Sequence, residues 1–276
     1  MPRSRPPVLD SITPVILTMN EEPNLRRLLA ALDWARDIVV VDSGSSDATL
    51  AILAEYPAVR VFHRPFDTHG NQWRYAVTDT GVTSDWVLRM DADYIVTPEL
   101  RDELAVLTPL ATITSYRIDF GYAIFGRRLS ASLYPSNIVL FRGDAIEVFD
   151  KGHTEGWRTT YGTMGRLAGK LVHDDWKPMK GWIGSQARYM ERELPHLKAS
   201  PGGLKHRLRL SPPLMPIVMF LYTLFGRGMI FNGRAGLFYA LQRLLAETAL
   251  ALFVLEDRMH AERAAEQTRS DENSAR

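Results

Sequence analysis

Apolar residues in the first hundred positions come in short runs, separated by longer stretches with helical spacing. Ile12 to Leu17, Ile38 to Val41, Val59 to Phe62 and Trp86 to Met90 each have the length and the β-branched or aromatic content of a strand. Between the first two, Leu25, Leu28, Leu29 and Leu32 share one face of a helix that opens at Pro23, a residue suited to a first turn because its missing N–H would find no partner there. Residues 48–56 predict a second helix capped by Ser46 or Asp47, residues 71–80 a third that ends before Gly81, and Thr97 followed by Pro98 starts a fourth. Apolar strands alternating with helices predict an α/β fold: a mostly parallel sheet with helices on both faces.

In such sheets ligands bind at the carboxyl ends of the strands, so the polar residues that follow each run meet on one edge. Thr18, Asn20 and Glu22 follow the first strand, Asp42 ends the second, and Asp91 and Asp93 end the fourth. Side chains alternate along a strand, so Asp91 and Asp93 point the same way. Two carboxylates that close raise each other's pKa, and a hard divalent cation relieves the repulsion. A bare D-x-D also serves as a polar strand cap, and Asp42 before Ser and Gly suits a turn. Their convergence favours a nucleotide: Asp42 would accept from ribose hydroxyls or a base N–H, while a metal at Asp93 faces a diphosphate. The chain has no G-x-G-x-x-G or Walker pattern, which argues against a dinucleotide dehydrogenase or a P-loop enzyme.

Composition narrows the field further. With 276 residues, 46% of them hydrophobic, the chain can bury a full core in one large domain, or in one domain with an appended segment. Thirty-three basic against 32 acidic side chains give no global field toward nucleic acid. The absence of cysteine leaves oxygen and imidazole as the only metal donors. No apolar run of secretory length precedes Asn20, so the expected location is cytoplasmic.

The segments VILTMNEEPNLRRLL, VVVDSGSSDAT and LRMDAD, in this order and spacing, resemble the nucleotide-sugar-binding half of the family 2 glycosyltransferases, which have the GT-A fold. The resemblance is strong over residues 12 to about 100 and continues more loosely through GHTEGW and LVHDDWKPMKGW. Those later pieces resemble lipopolysaccharide-core and exopolysaccharide transferases of the heptose-modifying glucosyltransferase type. It implies that Asn20 and Glu22 line the nucleotide pocket, that Asp42 contacts uracil or ribose, and that Asp91 and Asp93 form a D-x-D holding Mg²⁺ or Mn²⁺, with Asp93 the more direct ligand. Arg74 stands where the family often carries a basic residue near the nucleotide, although NQWRYAV departs from the commoner pattern; a solvated helix residue is the equal alternative.

Sugar transfer to a hydroxyl also needs a base on the side opposite the leaving diphosphate. Glu155 in GHTEGW is the candidate, with His153 on the same side of an extended segment and able to orient it. The resemblance supports such an H-x-E element near the acceptor. Asp174 or Asp175 is the reserve. His173 ends an apolar pair and would face the metal or the diphosphate; a structural histidine is the alternative.

From His196 to Pro213 the chain carries Lys198, Lys205, Arg207 and Arg209 with no acidic residue, then enters the apolar LMPIVMFLYTLF, too short to span a bilayer. Residues 235–255 are apolar but interrupted by Gln242, Arg243 and Glu247. Both stretches read as interfacial helices, with a helical subdomain on the sheet or a surface for a second copy as the alternatives. The expected divisions are 1–110 for the donor half, 111–195 for the acceptor half, 196–255 for a membrane-associating helical segment and 256–276 for a flexible charged tail. The expected activity is an inverting, metal-dependent transfer from a nucleoside-diphosphate sugar to a lipid-linked glycan at the inner membrane face. A polyprenyl-phosphate sugar synthase and a non-catalytic membrane-associated nucleotide-binding scaffold are the rivals.

Overall fold

The structure, a computed structural model, describes residues 8–151, 154–199 and 214–274. His153 therefore lies outside the described residues, as does most of the basic stretch between Ala199 and Leu214. The described chain divides into two compact units, Met1–Lys177 and Pro178–Arg276.

The first unit is built on a mixed sheet. Strands β1 (Ile12–Thr18), β2 (Ile38–Asp42), β3 (Val59–His63) and β4 (Trp86–Asp91) run parallel in the order β3-β2-β1-β4. They are linked by helices α1 (Glu22–Ala30), α2 (Thr49–Leu53) and α3 (His69–Thr78), as the apolar runs predict. Val15, Ile16, Val39, Val40, Val41 and Leu88 have essentially no exposed surface, because helices cover the sheet on both sides. β5 (Tyr94–Val96) follows β4, and Thr97 caps α4 (Pro98–Val106) by accepting from the Leu100 N–H. The sheet then continues as β8 (Asn137–Phe141), β6 (Ile113–Ile124) and β11 (Thr163–His173), with antiparallel pairing on both sides of β8 and parallel pairing between β6 and β11. A short β7 (Arg127–Arg128) folds back on β6, and β9 (Ile146–Lys151) with β10 (Thr154–Thr159) forms a separate antiparallel ribbon.

The sheet must curl. β5 closes the far end by pairing with β11, His173 opposite Tyr94, yet only Ala92 and Asp93 separate it from the end of β4. Three residue steps reach about 10 Å at most, so the ends of β4 and β11 are drawn together although β8 and β6 lie between them in the hydrogen-bonded order. β11 accommodates this with a bulge between Arg166 and Lys170, where the freed N–H groups of Ala168 and Gly169 donate to the Glu103 carboxylate of α4 at 3.0 and 2.7 Å. Gly169 is required there: a Cβ would stand 2.4 Å from the Leu100 Cα.

The second unit is helical: α5 (Met179–Ala199), α6 (Met215–Leu221) and α7 (Gly233–Ser274), with a π-helical turn at Tyr222–Gly226 and a 3₁₀ turn at Met229–Asn232. Met190, Leu197, Leu250 and Val254 form its small core, and Lys198 pairs with Asp257 at 2.8 Å. Here the structure departs from the expected flexible tail, because α7 continues through the charged residues to Ser274. The stretch is rich in Ala, Glu and Arg, strong helix formers that prolong a helix already nucleated and packed upstream. One helix, Met229–Asp271, is long and apolar enough to cross a membrane by length and composition, with 39% of its most apolar window buried.

Candidate active site

Asp42 and Asp91 end strands that flank β1 on either side. Thr18 is in register with Asp42 and Leu17 with Asp91, so the two residues share the carboxyl edge, their backbones about 10 Å apart by two inter-strand spacings. Asp42 is buried and its oxygens are occupied locally. Oδ1 accepts from the Gly44 and Ser45 N–H groups, both at 2.9 Å, and Oδ2 accepts from the hydroxyls of Thr18 and Ser45 at 3.0 and 2.5 Å. Burial alone would raise this carboxyl, but these hydrogen bonds outweigh it and hold it below its ordinary value. Asp42 thus organises the β2–α2 loop and presents that loop, rather than bare carboxylate, to the edge.

Asn20 is left-handed, with φ 54°. Its amide oxygen accepts from the Ser46 N–H at 2.8 Å and its own N–H donates to the Ser45 hydroxyl, tying the β1–α1 and β2–α2 loops together. This reversal sets the phase of the next residues: Glu22 turns outward and accepts from the Ala48 N–H, while Glu21 turns inward and is buried. Glu21 accepts from the Lys177 Nζ at 2.6 Å and from the Asn24 amide at 2.8 Å.

The tip of β4 carries the densest charge. Asp93 lies 3.3 Å from the His173 Nε2, with only 15% of its side chain exposed. Its Oδ1 and the His173 Nδ1 are buried without a hydrogen-bond partner among the described residues. Burial pushes Asp91 up, and Asp93 and Glu155 push it further. Burial and Asp93 likewise push Glu21 up to about 7, against the pull of Lys177. Burial would lower both cations, yet their carboxylate neighbours raise His173 through Asp93 and Lys177 through Glu21, Asp93 and Asp175. The edge therefore crowds its carboxyl groups closely enough that Asp91 and Glu21 hold their protons more tightly than ordinary carboxyls do.

One consequence is a pH-dependent stability. The Glu21 carboxyl titrates higher folded than unfolded, so its contribution is full below about 4.5 and is lost as pH rises through about 7, ~3 kcal/mol at the upper limit. Glu21→Gln should narrow the gap between the unfolding temperatures at pH 5 and pH 7.5; an unchanged gap would show that Glu21 does not titrate there.

Glu155 stands on β10 and is paired with Arg89 of β4, Nη1 to Oε1 2.7 Å, with 12% and 3% of their side chains exposed. The Trp157 indole N–H donates to the same oxygen at 3.1 Å. Burial pushes Glu155 up, but the Arg89 guanidinium, the Trp157 N–H and His69 together outweigh it and keep the group below its usual range, hence ionised at neutral pH. Arg89 interrupts the apolar run of β4, and nothing in the sequence marks its partner, 66 residues away. Arg74 is exposed on α3, bonded to Asn71 and to the Val148 carbonyl. Both oxygens of Asp174 accept, from Arg27, the Gly126 N–H and the Trp176 indole, while Asp175 accepts from Asn24 and the Lys177 N–H through Oδ1.

Among the described residues no three carboxylate or imidazole side chains form a ready-made cation cage. The donor set still fits a divalent cation of the oxygen-seeking kind. The orphaned Asp93 Oδ1 is an acceptor in need of a positive partner, and Mg²⁺-type sites commonly use one or two carboxylates with the remaining places filled by substrate phosphates and water.

Residues 13–120 match the family model described as Glycosyl transferase family 2. The chain carries a family 2 glycosyltransferase domain. Among curated relatives, an uncharacterized glycosyltransferase of Rickettsia bellii (strain RML369-C) is 34% identical over 94 residues, 34% of this chain and 31% of that protein. The lipopolysaccharide core biosynthesis glycosyltransferase LpsC of Rhizobium meliloti (strain 1021) is 30% identical over 96 residues, 33% of this chain and 35% of that protein. The match thus spans about a third of these relatives' length. Among solved structures, S. aureus TarS 1-349 in complex with UDP superposes with TM-score 0.44 at 12% identity, covering 90% of this chain and 91% of that one. The fold assignment rests on the strand order described above.

Proposed function

We propose that this family 2 domain makes the chain an inverting, metal-dependent glycosyltransferase. It would move a sugar from a UDP-sugar to a hydroxyl of a lipid-linked glycan, such as a lipopolysaccharide core or exopolysaccharide precursor. The observation that carries this reading is the gathering of Asp91 and Asp93, with an unpartnered Asp93 oxygen, on the edge that also ends in the Asp42 loop. The name of the LpsC relative supports the acceptor class.

Asp93, with Asp91, would hold Mg²⁺ or Mn²⁺, whose chemistry is to offset the charge that grows on the leaving diphosphate. Lys177 adds a fixed cation beside Asp93. The Asp42 loop, braced by Asn20 and Thr18, would receive the nucleoside with its backbone N–H groups and hydroxyls. Glu155, kept ionised by Arg89, would accept the proton of the acceptor hydroxyl as it attacks the anomeric carbon from the face opposite the diphosphate, which inverts that centre.

Incubation with a panel of nucleotide sugars and a membrane extract, with and without EDTA, tests this directly: one donor should be consumed, and EDTA should stop it. Glu155→Gln should lower transfer by about 10²–10⁴-fold while leaving donor binding intact. Unchanged turnover would instead favour a polyprenyl-phosphate sugar synthase, whose phosphate acceptor needs no base.

A peripheral membrane contact belongs to the same proposal. In the second unit Ile217, Leu221, Tyr222, Phe225, Ile230 and Phe231 are exposed, and no Asp or Glu stands between Glu193 and Glu247 while Lys and Arg recur. Aromatic and basic residues together suit an anionic lipid surface. The protein should float with phosphatidylglycerol vesicles and stay behind with phosphatidylcholine; equal recovery in both would contradict the contact.

A further inference from the structure

Two aromatic rings at the carboxyl edge are exposed, on backbone that is anchored by hydrogen bonds. Phe125, at the tip of the β6–β7 turn, has 54% of its surface exposed and a φ of 48°, a conformation that a bulky side chain rarely adopts. It persists because the next residue, Gly126 (φ 80°), donates its N–H to both oxygens of Asp174 at 3.1 Å. Trp176 is 39% exposed and is fixed at three points: its indole N–H donates to Asp174 at 2.9 Å, its backbone N–H donates to the Asn24 side-chain Oδ1 at 2.9 Å, and the Arg27 guanidinium covers its ring at 4.1 Å. The two ring centres are 6.5 Å apart at 64°.

Asn24 is the hub of this arrangement. Fully buried on α1, it donates to Glu21 and Asp175 and accepts from Arg27 and the Trp176 N–H, so every lone pair and N–H of its amide has a partner. Through it the rings are tied to the charged centre, and the Asp174 N–H donates to the Asp93 carbonyl at 2.9 Å. A strained turn thus places an exposed ring beside a second one, next to the candidate cation site.

We propose that Phe125 and Trp176 form a sugar-binding platform for the acceptor, an inference that rests on the transferase reading. A pyranose has an apolar C–H face that stacks on an aromatic ring and a rim of hydroxyls that need hydrogen-bond partners. The rings supply the first, and Asp175, Arg27 and Lys177 beside them supply polar groups for the second. Two rings are too small a patch to seat a protein or a bilayer, which engage several hundred square ångströms of apolar surface. Fixed aromatic rings also bind at a small cost in conformational entropy.

The test uses the full chain and, as probe, the water-soluble core oligosaccharide released by mild acid from Gram-negative lipopolysaccharide. Saturation-transfer NMR reports its binding, and calorimetry with UDP and Mn²⁺ reports the donor site. Phe125→Gly removes the ring while relieving the backbone, and Trp176→Ala removes the second ring, with Trp176→Tyr as the conservative rescue. Each ring removal should weaken oligosaccharide binding about tenfold, Tyr should restore most of it, and UDP affinity should stay within about twofold, as befits rings outside the donor site. Nucleotide binding with an oligosaccharide signal that is absent or indifferent to both rings overturns the platform alone. Ring-dependent oligosaccharide binding without nucleotide binding overturns the transferase reading and leaves the platform standing. Loss of anionic-vesicle binding in the ring variants, with oligosaccharide binding unchanged, would replace the sugar by a lipid surface.

Discussion

Asp93→Asn is expected to reduce sugar transfer by about a thousandfold or more, because removing a charge-stabilising group from a transition state costs that order of rate. The side chain keeps its size and loses its charge. Stability should change little, since two effects oppose each other. The ion pair with His173 at 3.3 Å is lost, but so is the repulsion by which Asp93 raises Asp91 and Glu21. A normal unfolding temperature with lost turnover is therefore the expected pattern, measured by scanning calorimetry and a product assay on the same preparation. Retained turnover would remove Asp93 from the chemistry.

The largest expected effect on stability belongs to Arg89. Its side chain is 3% exposed, its Nε donates to the Ile138 carbonyl at 2.8 Å, and its guanidinium lies 4.5 Å from the centre of the Trp157 ring. Arg89→Met would fill the space but leave the Glu155 carboxylate nearly buried without a counter-charge, which typically costs about 3–5 kcal/mol. Adding Glu155→Gln should recover a substantial part of the loss, because the penalty lies in the stranded charge rather than in the missing contact. Urea unfolding of the two single variants and the double variant gives the coupling directly. A loss below about 1 kcal/mol in the single Arg89 variant would show that Glu155 finds water or another partner.

The alternation of strand and helix was legible because each step depends on local chemistry: apolar runs for β1 to β4, Pro23 and Pro98 at helix starts, Thr97 as a cap. The shared edge of Asp42, Asp91 and Asp93 followed from the parallel order alone. What stayed hidden depends on tertiary geometry. The left-handed Asn20 reverses the phase of the turn, so that Glu21 rather than Glu22 faces inward; the adjacent pair in NEEP gave no means to choose between them. Asn24, Arg27 and Lys177 join residues about 150 positions apart, and no periodicity records such a pairing. Asp174 and Asp175 looked like spare carboxylates beside His173, and the fold uses both to fasten a loop.

The account stands on whether a divalent cation joins the acidic tip of β4 to a bound diphosphate. Titration of UDP into the protein by calorimetry, in Mn²⁺ and then in EDTA, for the native chain and for Asp93→Asn, measures this directly. Binding to the native chain in Mn²⁺ that disappears in EDTA and in the variant is the predicted result. Equal UDP affinity in all four titrations would contradict it, and the nucleotide would then be held by the protein without a metal at Asp93.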